Sequence, residues 1–406
     1  MAAMRQFRIG QDIFQDGTPE LQSALAQVYD CKLRPHCLCS DEPPAMYIAR
    51  VDGQLVMKRM PLSGRDHAPS CPSYEPPYEL SGLGPLIGNA IQIDETTGAA
   101  ILKLDFALMK RGSRTVSPTE PEPSDTVRNE TKKLSLRAVL HYLWEAGELT
   151  EWTSLWARKR GWGKVRSSLL NAAKQMETRL GPLGDLLFVP EVFNASDKAA
   201  IAARRAGALS GLQATTGPRK LMLLVGEVKE FTEARMGRKL VIRHLPDFAL
   251  TLEDAAWRRL NRHYESELEL WEANETSHLV AIATFGISSA GVSFIDEIAL
   301  MVMTENWIPF ESIDELRLLS RLAGMRRKSV KGLRFNLSRD RPLVCVTLPE
   351  QRPSPVAMYV VPAHADEDYH RGLAEMIEAR PEMTPWIWRT AEGDMPPMPG
   401  ANPSGM

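Results

Sequence analysis

Several things are scarce in this chain, and each scarcity excludes a class of protein. No run approaches the roughly 18 consecutive apolar residues that cross a bilayer, so no membrane partner is expected. Five cysteines in 406 residues are too few for a secreted disulfide framework. The opening Met1-Ala2-Ala3-Met4-Arg5-Gln6-Phe7-Arg8 has no apolar core after its first basic residue, unlike a signal peptide. A cytoplasmic location is the expectation. Excess charge is also missing: 49 basic and 51 acidic residues leave a net charge of −2, so any nucleic-acid surface must be local. Three catalytic signatures are absent too: a Gly-x-x-x-x-Gly-Lys-Ser/Thr loop, a Gly-x-Ser-x-Gly elbow and a His-Glu-x-x-His helix.

Among the few cysteines stands the one constellation that chemistry singles out. Cys37, Cys39, His67 and Cys71 offer three thiols and an imidazole, a tetrahedral zinc set with no position left for water. The cofactor expected is structural zinc. Between the two pairs, Met46 to Val51 and Gln54 to Met60 are short apolar-rich runs around Asp52-Gly53, the dipeptide of type I′ hairpin turns. A hairpin there brings its ends, and so the four ligands, together. Cys31 and His36 lie close enough to replace one ligand, whereas Cys345 is isolated.

Two breaks divide the chain. Residues 111–130, with Pro118, Pro121 and Pro123 among serines and charges, read as a linker. Residues 208–218, with Gly211, Gly217 and Pro218, read as a second linker. The expected organisation is α+β and multidomain: an N-terminal zinc-ribbon-like module over 1–110, a helical middle over 131–207, an α+β domain over 219–391 and a disordered tail over 392–406.

In the middle, Leu134, Leu136, Val139, Leu140, Leu143 and Trp144 recur at helical spacing and Gly147 stops the pattern. A second helix is expected from Leu149-Thr150-Glu151-Trp152 and a third through Val165, Leu169 and Leu170, with a strand at Leu186 to Pro190. Three helices and a strand are the order of a winged helix. Arg158, Lys159, Arg160, Lys164 and Arg166 would then face nucleic-acid phosphates and bases. A solvated helix pair explains the same charges.

The C-terminal half changes period to strand-length apolar runs such as Leu221 to Val228 and Leu279 to Phe285. Its last part runs helix Ser312 to Leu322, strands Leu343 to Leu348 and Val356 to Val361, helix Tyr369 to Ile377 and strand Trp386-Ile387-Trp388. This is the element order of restriction-endonuclease-like domains, with Glu315 as the helical acid. Such enzymes hold magnesium with an aspartate on one strand and Glu-x-Lys on the next. Leu343-Val344-Cys345-Val346 and Met358-Tyr359-Val360 supply neither. The alternative nuclease centre is Glu227, Lys229 and Asp247, with Glu233 as a further acid, against the plainer reading of a solvated strand. A basic stretch from Arg326 to Leu337 could follow a nucleic-acid backbone or be solvated.

Particular runs carry a resemblance: Cys37-Leu38-Cys39, Lys58-Arg59-Met60-Pro61, His67-Ala68-Pro69-Ser70-Cys71, Leu80-Ser81-Gly82-Leu83-Gly84, Val225-Gly226-Glu227-Val228-Lys229-Glu230-Phe231 and Lys331-Gly332-Leu333-Arg334-Phe335-Asn336. The chain resembles, over nearly its full length, a proteobacterial domain-of-unknown-function family met on plasmids and integrative conjugative elements. The resemblance implies a mobile-element setting and transfers no catalytic residue. The leading expectation is a non-catalytic zinc-binding accessory protein that binds DNA or a protein of the transfer or replication machinery. The alternatives are a magnesium-dependent nuclease and a protein-interaction scaffold without nucleic-acid binding.

Overall fold

The computed structural model describes residues 5–31, 33–51, 53–94, 98–110, 132–157, 159–212, 219–235 and 237–400. The expected linker 111–130, Arg158 and part of the expected linker 208–218 lie outside them. The architecture is mixed α+β with several sheets. Among the described residues no helix is long and apolar enough to cross a membrane.

The N-terminal region packs around a small core of its own. Strand Gln6–Ile9 lies between Asp12–Gln15 and His36–Cys37, antiparallel to both. Helix Pro19–Val28 begins where Thr18 Oγ1 accepts the Leu21 N–H, with proline at the start, where no donor is needed. Its Leu21 and Leu25 bury against Phe7, Ile9 and the hairpin's Leu55 and Met57. That hairpin, Met46–Val51 with Gln54–Arg59, forms where the sequence places it, and Gly53 takes φ +82°. Buried Cys37 and Cys71 complete this core.

A second, larger core runs from Leu83 to Met398. Five strands, Met222–Glu233, Arg238–Ile242, Leu250–Leu252, His278–Ile287 and Ser293–Met303, close into a barrel. The first pairs antiparallel with the second and the fourth, and the second with the third. The fifth pairs antiparallel with the fourth and parallel with the third. The third–fifth seam has one ladder pair, Thr251 with Phe294. Side chains reinforce it: Thr251 Oγ1 donates to Ser293 O at 2.5 Å and Ser293 Oγ to Ala249 O at 2.7 Å. Helices Asp254–His263 and Glu265–Glu272 connect the third and fourth strands, and the apolar helix Leu136–Ala146 packs across the fourth and fifth.

The middle segment departs from expectation. Helices Leu136–Ala146 and Trp162–Ala173 form, but the second helix expected from Leu149 does not. Glu151–Trp152 is a strand paired with Ser329–Lys331, followed by a 3-10 turn at Ser154–Trp156. Backbone donors exposed at that sheet edge recruit the segment, as Lys331 N–H donates to Thr150 O at 3.1 Å. These helices also share the barrel's core rather than holding one of their own.

The last sheet follows helix Ile313–Gly324. Strands Ser329–Lys331, Val346–Leu348 and Val356–Val361 pair in sequence, each antiparallel to the previous one. After helix Glu367–Glu378, strand Thr384–Arg389 lies parallel to Val356–Val361. Residues 392–400 correct the expected disordered tail. Met398 is buried, Trp386 Nε1 donates to Pro397 O at 3.0 Å and an Arg327 guanidinium N–H to Pro399 O at 3.0 Å.

Two glycines join these parts at backbone contact. A β-carbon at Gly82 would stand 1.9 Å from Arg334 O, and one at Gly332 would stand 2.0 Å from Val344 O. Gly207, by contrast, has nothing within 4 Å of that position. Gly82→Ala and Gly332→Ala are each expected to cost about 2–3 kcal/mol or more through forced backbone shifts. Gly207→Ala should instead gain ~0.5–1 kcal/mol from helix propensity. Denaturant unfolding of the three variants measures this contrast.

Candidate metal centre

The hairpin returns the chain beside its start, since Met46 N–H donates to Pro35 O at 2.8 Å and Cys37 N–H to Pro44 O at 2.9 Å. That closure sets Cys37 and Cys39 on one side and His67 and Cys71, after the 3-10 turn Gly64–Asp66, on the other. Cys37 Sγ lies 3.8 Å from Cys71 Sγ, and His67 Nδ1 lies 3.3 Å from Cys39 Sγ and 3.6 Å from Cys71 Sγ. All four donor atoms lie within 4.8 Å of one another. A tetrahedron with metal–sulfur bonds of about 2.3 Å has sulfur–sulfur edges of about 3.8 Å and sulfur–nitrogen edges near 3.5 Å. The cluster can therefore hold a metal ion, and its donor set is compatible with zinc.

Electrostatics at the cluster agree with that geometry. Hydrogen bonding from Cys37 pulls the Cys71 thiol down to about 3, with help from His67 and the Ser73 amide. Its hydrogen bond to Cys71 and burial push the Cys37 thiol up, and burial raises Cys39. Sharing one thiolate is how three close thiols limit mutual repulsion; a divalent cation at the centre would let all three ionise. Amide N–H groups of Ala68 and Ser73 donate to Cys39 Sγ and Cys71 Sγ, each at 3.4 Å, the outer support that metal-bound thiolates use. Cys31 is exposed, His36 pairs with Arg8 in a strand and Cys345 is buried beside Glu315. None of the three joins the cluster, which is the one such group among the described residues.

The other predicted sites disperse. Glu227 is buried, its carboxylate 3.0 Å from Arg243 Nε, 2.9 Å from His278 Nδ1 and 3.7 Å from His244 Nε2. Lys229 pairs instead with Glu230 and Asp247 with Lys198. Glu233 pairs with Arg238. The structure does not bring Glu227, Lys229 and Asp247 into one metal-holding group. The imidazoles around Glu227 were not legible because they lie in separate segments; His278 stacks on Trp307 at 4.0 Å and His244 on Trp162 at 5.5 Å.

Among the described basic residues of the middle segment, Arg160 and Arg166 turn inward while Lys159 and Lys164 are exposed. Buried Arg160 donates to Leu149 O and Glu151 O, and Arg166 Nε to Val189 O at 3.0 Å. Lys164 sits over the Trp156 ring and Lys159 is exposed. Two cations of the basic stretch near 326–337 are spent internally, while Arg326 is exposed. Lys331 is buried 3.3 Å from Glu315, and Arg334 lies 2.7 Å from Glu311.

A cleft of about 940 Å³ separates the hairpin from the body. Lys58 lies 2.8 Å from Glu148, and Arg59 pairs with Glu75, with Glu148 at 3.6 Å and with Glu151 at 3.9 Å. Acids at three-residue spacing, Glu145, Glu148 and Glu151, were the sequence signal for this contact. Burial drives the Glu145 carboxyl up to about 7, partly offset by Arg59.

A family model described as "Protein of unknown function (DUF1173)" matches residues 7–391. No curated protein and no solved structure matches the chain.

Two outcomes are expected. Elemental analysis of the purified protein should find about one metal ion per chain, lost in Cys37→Ser and in His67→Ala; metal-free wild-type protein prepared without chelator contradicts the site. Because the folded Glu145 pKa is raised, its contribution to stability is present below about 4.5 and lost as pH rises toward about 7. Glu145→Gln should remove that loss, so its stability relative to wild type should rise between those values and level off above them. Thermal melts across pH measure this.

Proposed function

The chain belongs to the DUF1173 family, and from that premise we propose that it is a non-catalytic accessory protein that binds DNA and is held in shape by structural zinc. The mobile-element setting is the one its resemblance implies. The observation that carries the DNA-binding part is the last sheet. Its helix, three successive antiparallel strands, helix and parallel fourth strand follow the restriction-endonuclease-like order. The positions that would hold magnesium are filled for packing. Cys345 stands just before the second strand, Val346 begins it and Met358 and Tyr359 lie on the third, all buried. Glu315, in the place of the helical acid, is committed to Lys331. By analogy of element order alone, we infer that the sheet binds DNA without cutting it.

Zinc fits the N-terminal cluster because four protein ligands close the coordination sphere, and a core of nine buried residues is small enough to need a staple. The test is fluorescence anisotropy with duplex and single-stranded DNA across a salt series, with a magnesium cleavage assay alongside. Expected are binding that weakens steeply with salt and no cleavage. No binding at about 50 mM salt refutes the DNA-binding part. Magnesium-dependent cleavage lost in Glu227→Ala favours the nuclease reading instead.

A further inference from the structure

The barrel's pairing, first strand to second to third to fifth to fourth and back to first, with a parallel third–fifth seam and helices between third and fourth, is the order of the OB-fold barrel. Such barrels take single strands on the outer face of the second and third strands, between the loop joining strands one and two and the loop joining four and five. Here the helices that pack along the barrel lie on its fourth and fifth strands. On the outer face of the second and third strands Lys239 is exposed, and Val241 and Thr251 are half-buried, among the described residues.

Side chains on that face form one row. Thr232 opposes Lys239, Lys239 opposes Thr251 and Thr251 opposes Phe294. Directly opposed residues share a face, and their neighbours Leu240, Leu250 and Leu252 point into the core. Phe294 ends the row as an aromatic surface. A β-carbon at Gly286 would stand 2.8 Å from its Cζ and 3.1 Å from Cε1, so the ring rests against the barrel wall where glycine makes room. Beside it the loop 288–292 is ordered by Ser288 N–H to Val292 O at 2.8 Å and holds Val292 52% exposed.

Cations and acids balance on this face, so an anion is favoured only locally, at the exposed Lys239 and Arg235. Lys229 pairs with Glu230 and Arg238 with Glu233, each at 3.2 Å. Exposed Lys239 and Arg235 have no carboxylate partner among the described residues. Glu253 and Asp254 follow the third strand and bound the track at that end. A narrow row with one stacking surface and two uncommitted cations suits a flexible strand whose bases can reach the ring; a rigid duplex keeps its bases stacked inside.

Deepening the DNA-binding reading, on which this rests, we infer that the ligand is single-stranded DNA, a few nucleotides lying across the second and third barrel strands, with a base on Phe294 and phosphates at Lys239 and Arg235. The experiment uses full-length protein and a labelled oligothymidine of about 12 nucleotides, with a duplex of equal length and melting curves for every variant. Expected are tighter binding of the single strand, about tenfold weaker binding by Phe294→Ala, retention by Phe294→Tyr, and a salt slope reduced by about one in Lys239→Ala. Lys239→Glu, at an exposed position, weakens binding even if Phe294→Ala fails to fold. Preference for the duplex, or wild-type single-strand affinity in folded Phe294→Ala and in Lys239→Glu, overturns the inference while leaving DNA binding intact. Failure of the wild-type protein to bind either DNA overturns the broader reading as well.

Discussion

The buried loop from Lys331 to Leu337 is the constraint on which the rest of the structure depends. It runs where three parts meet, and its polar groups draw partners from all three. Leu333 O accepts from Gly82 N–H at 2.9 Å, tying in the N-terminal half, and Gly332 N–H donates to Cys345 O at 2.9 Å, tying in the last sheet. Phe335 N–H donates to His141 Nδ1 at 2.9 Å, Arg137 Nε to Phe335 O at 2.9 Å, and Ser135 Oγ to Asn336 Oδ1 at 2.7 Å, tying in the barrel-covering helix. Burial lowers His141 to about 3, which agrees with a neutral ring accepting through Nδ1. Buried backbone groups cost free energy unless paired, so displacing this loop would orphan donors and acceptors in three places at once.

The metal cluster acts on the same assembly from the other end. The hairpin between its ligand pairs carries Lys58 and Arg59, which meet Glu148, Glu75 and Glu151 across the cleft. A metal held there would do more than replace a missing core. By fixing the hairpin it would position the cations that neutralise acids of the body, and those acids would otherwise be left partly desolvated without partners. Binding energy at four ligands would become docking energy between two cores.

How much of this was legible follows from the range of each interaction. The hairpin and its four ligands were readable because turn chemistry and ligand type are local. Barrel closure was not, since Met222–Glu227 pairs with Val280–Phe285 and no pattern in either strand names its partner. Glu151–Trp152 was misread because its two-residue pairing with Ser329 and Val330 comes from a distant sheet edge that overrides helical propensity. The charges near 331–334 looked solvated or phosphate-seeking for the same reason. Their partners lie some twenty positions upstream, Glu315 in the first turn of helix Ile313–Gly324 and Glu311 just before its N-cap Ser312.

Those four charges also bear on the proposal that the last sheet has a nuclease-like order without nuclease chemistry. A magnesium site needs several oxygen ligands reachable by water. At the equivalent place stand two acids and two bases, all poorly accessible, in near-neutral balance. Burial opposes charge on Glu311 and on Lys331, but Arg334 holds Glu311 down to about 2, while the carboxylates of Glu315 and Glu311 keep Lys331 above its ordinary value. Burial pushes the Cys345 thiol up, so it stays neutral beside Glu315. A cation entering here would have to displace Lys331 from Glu315, and the freed ammonium has no water to receive it. The ion pairs therefore occupy Glu315 and Glu311, the carboxylates that metal-assisted cleavage at this place would require.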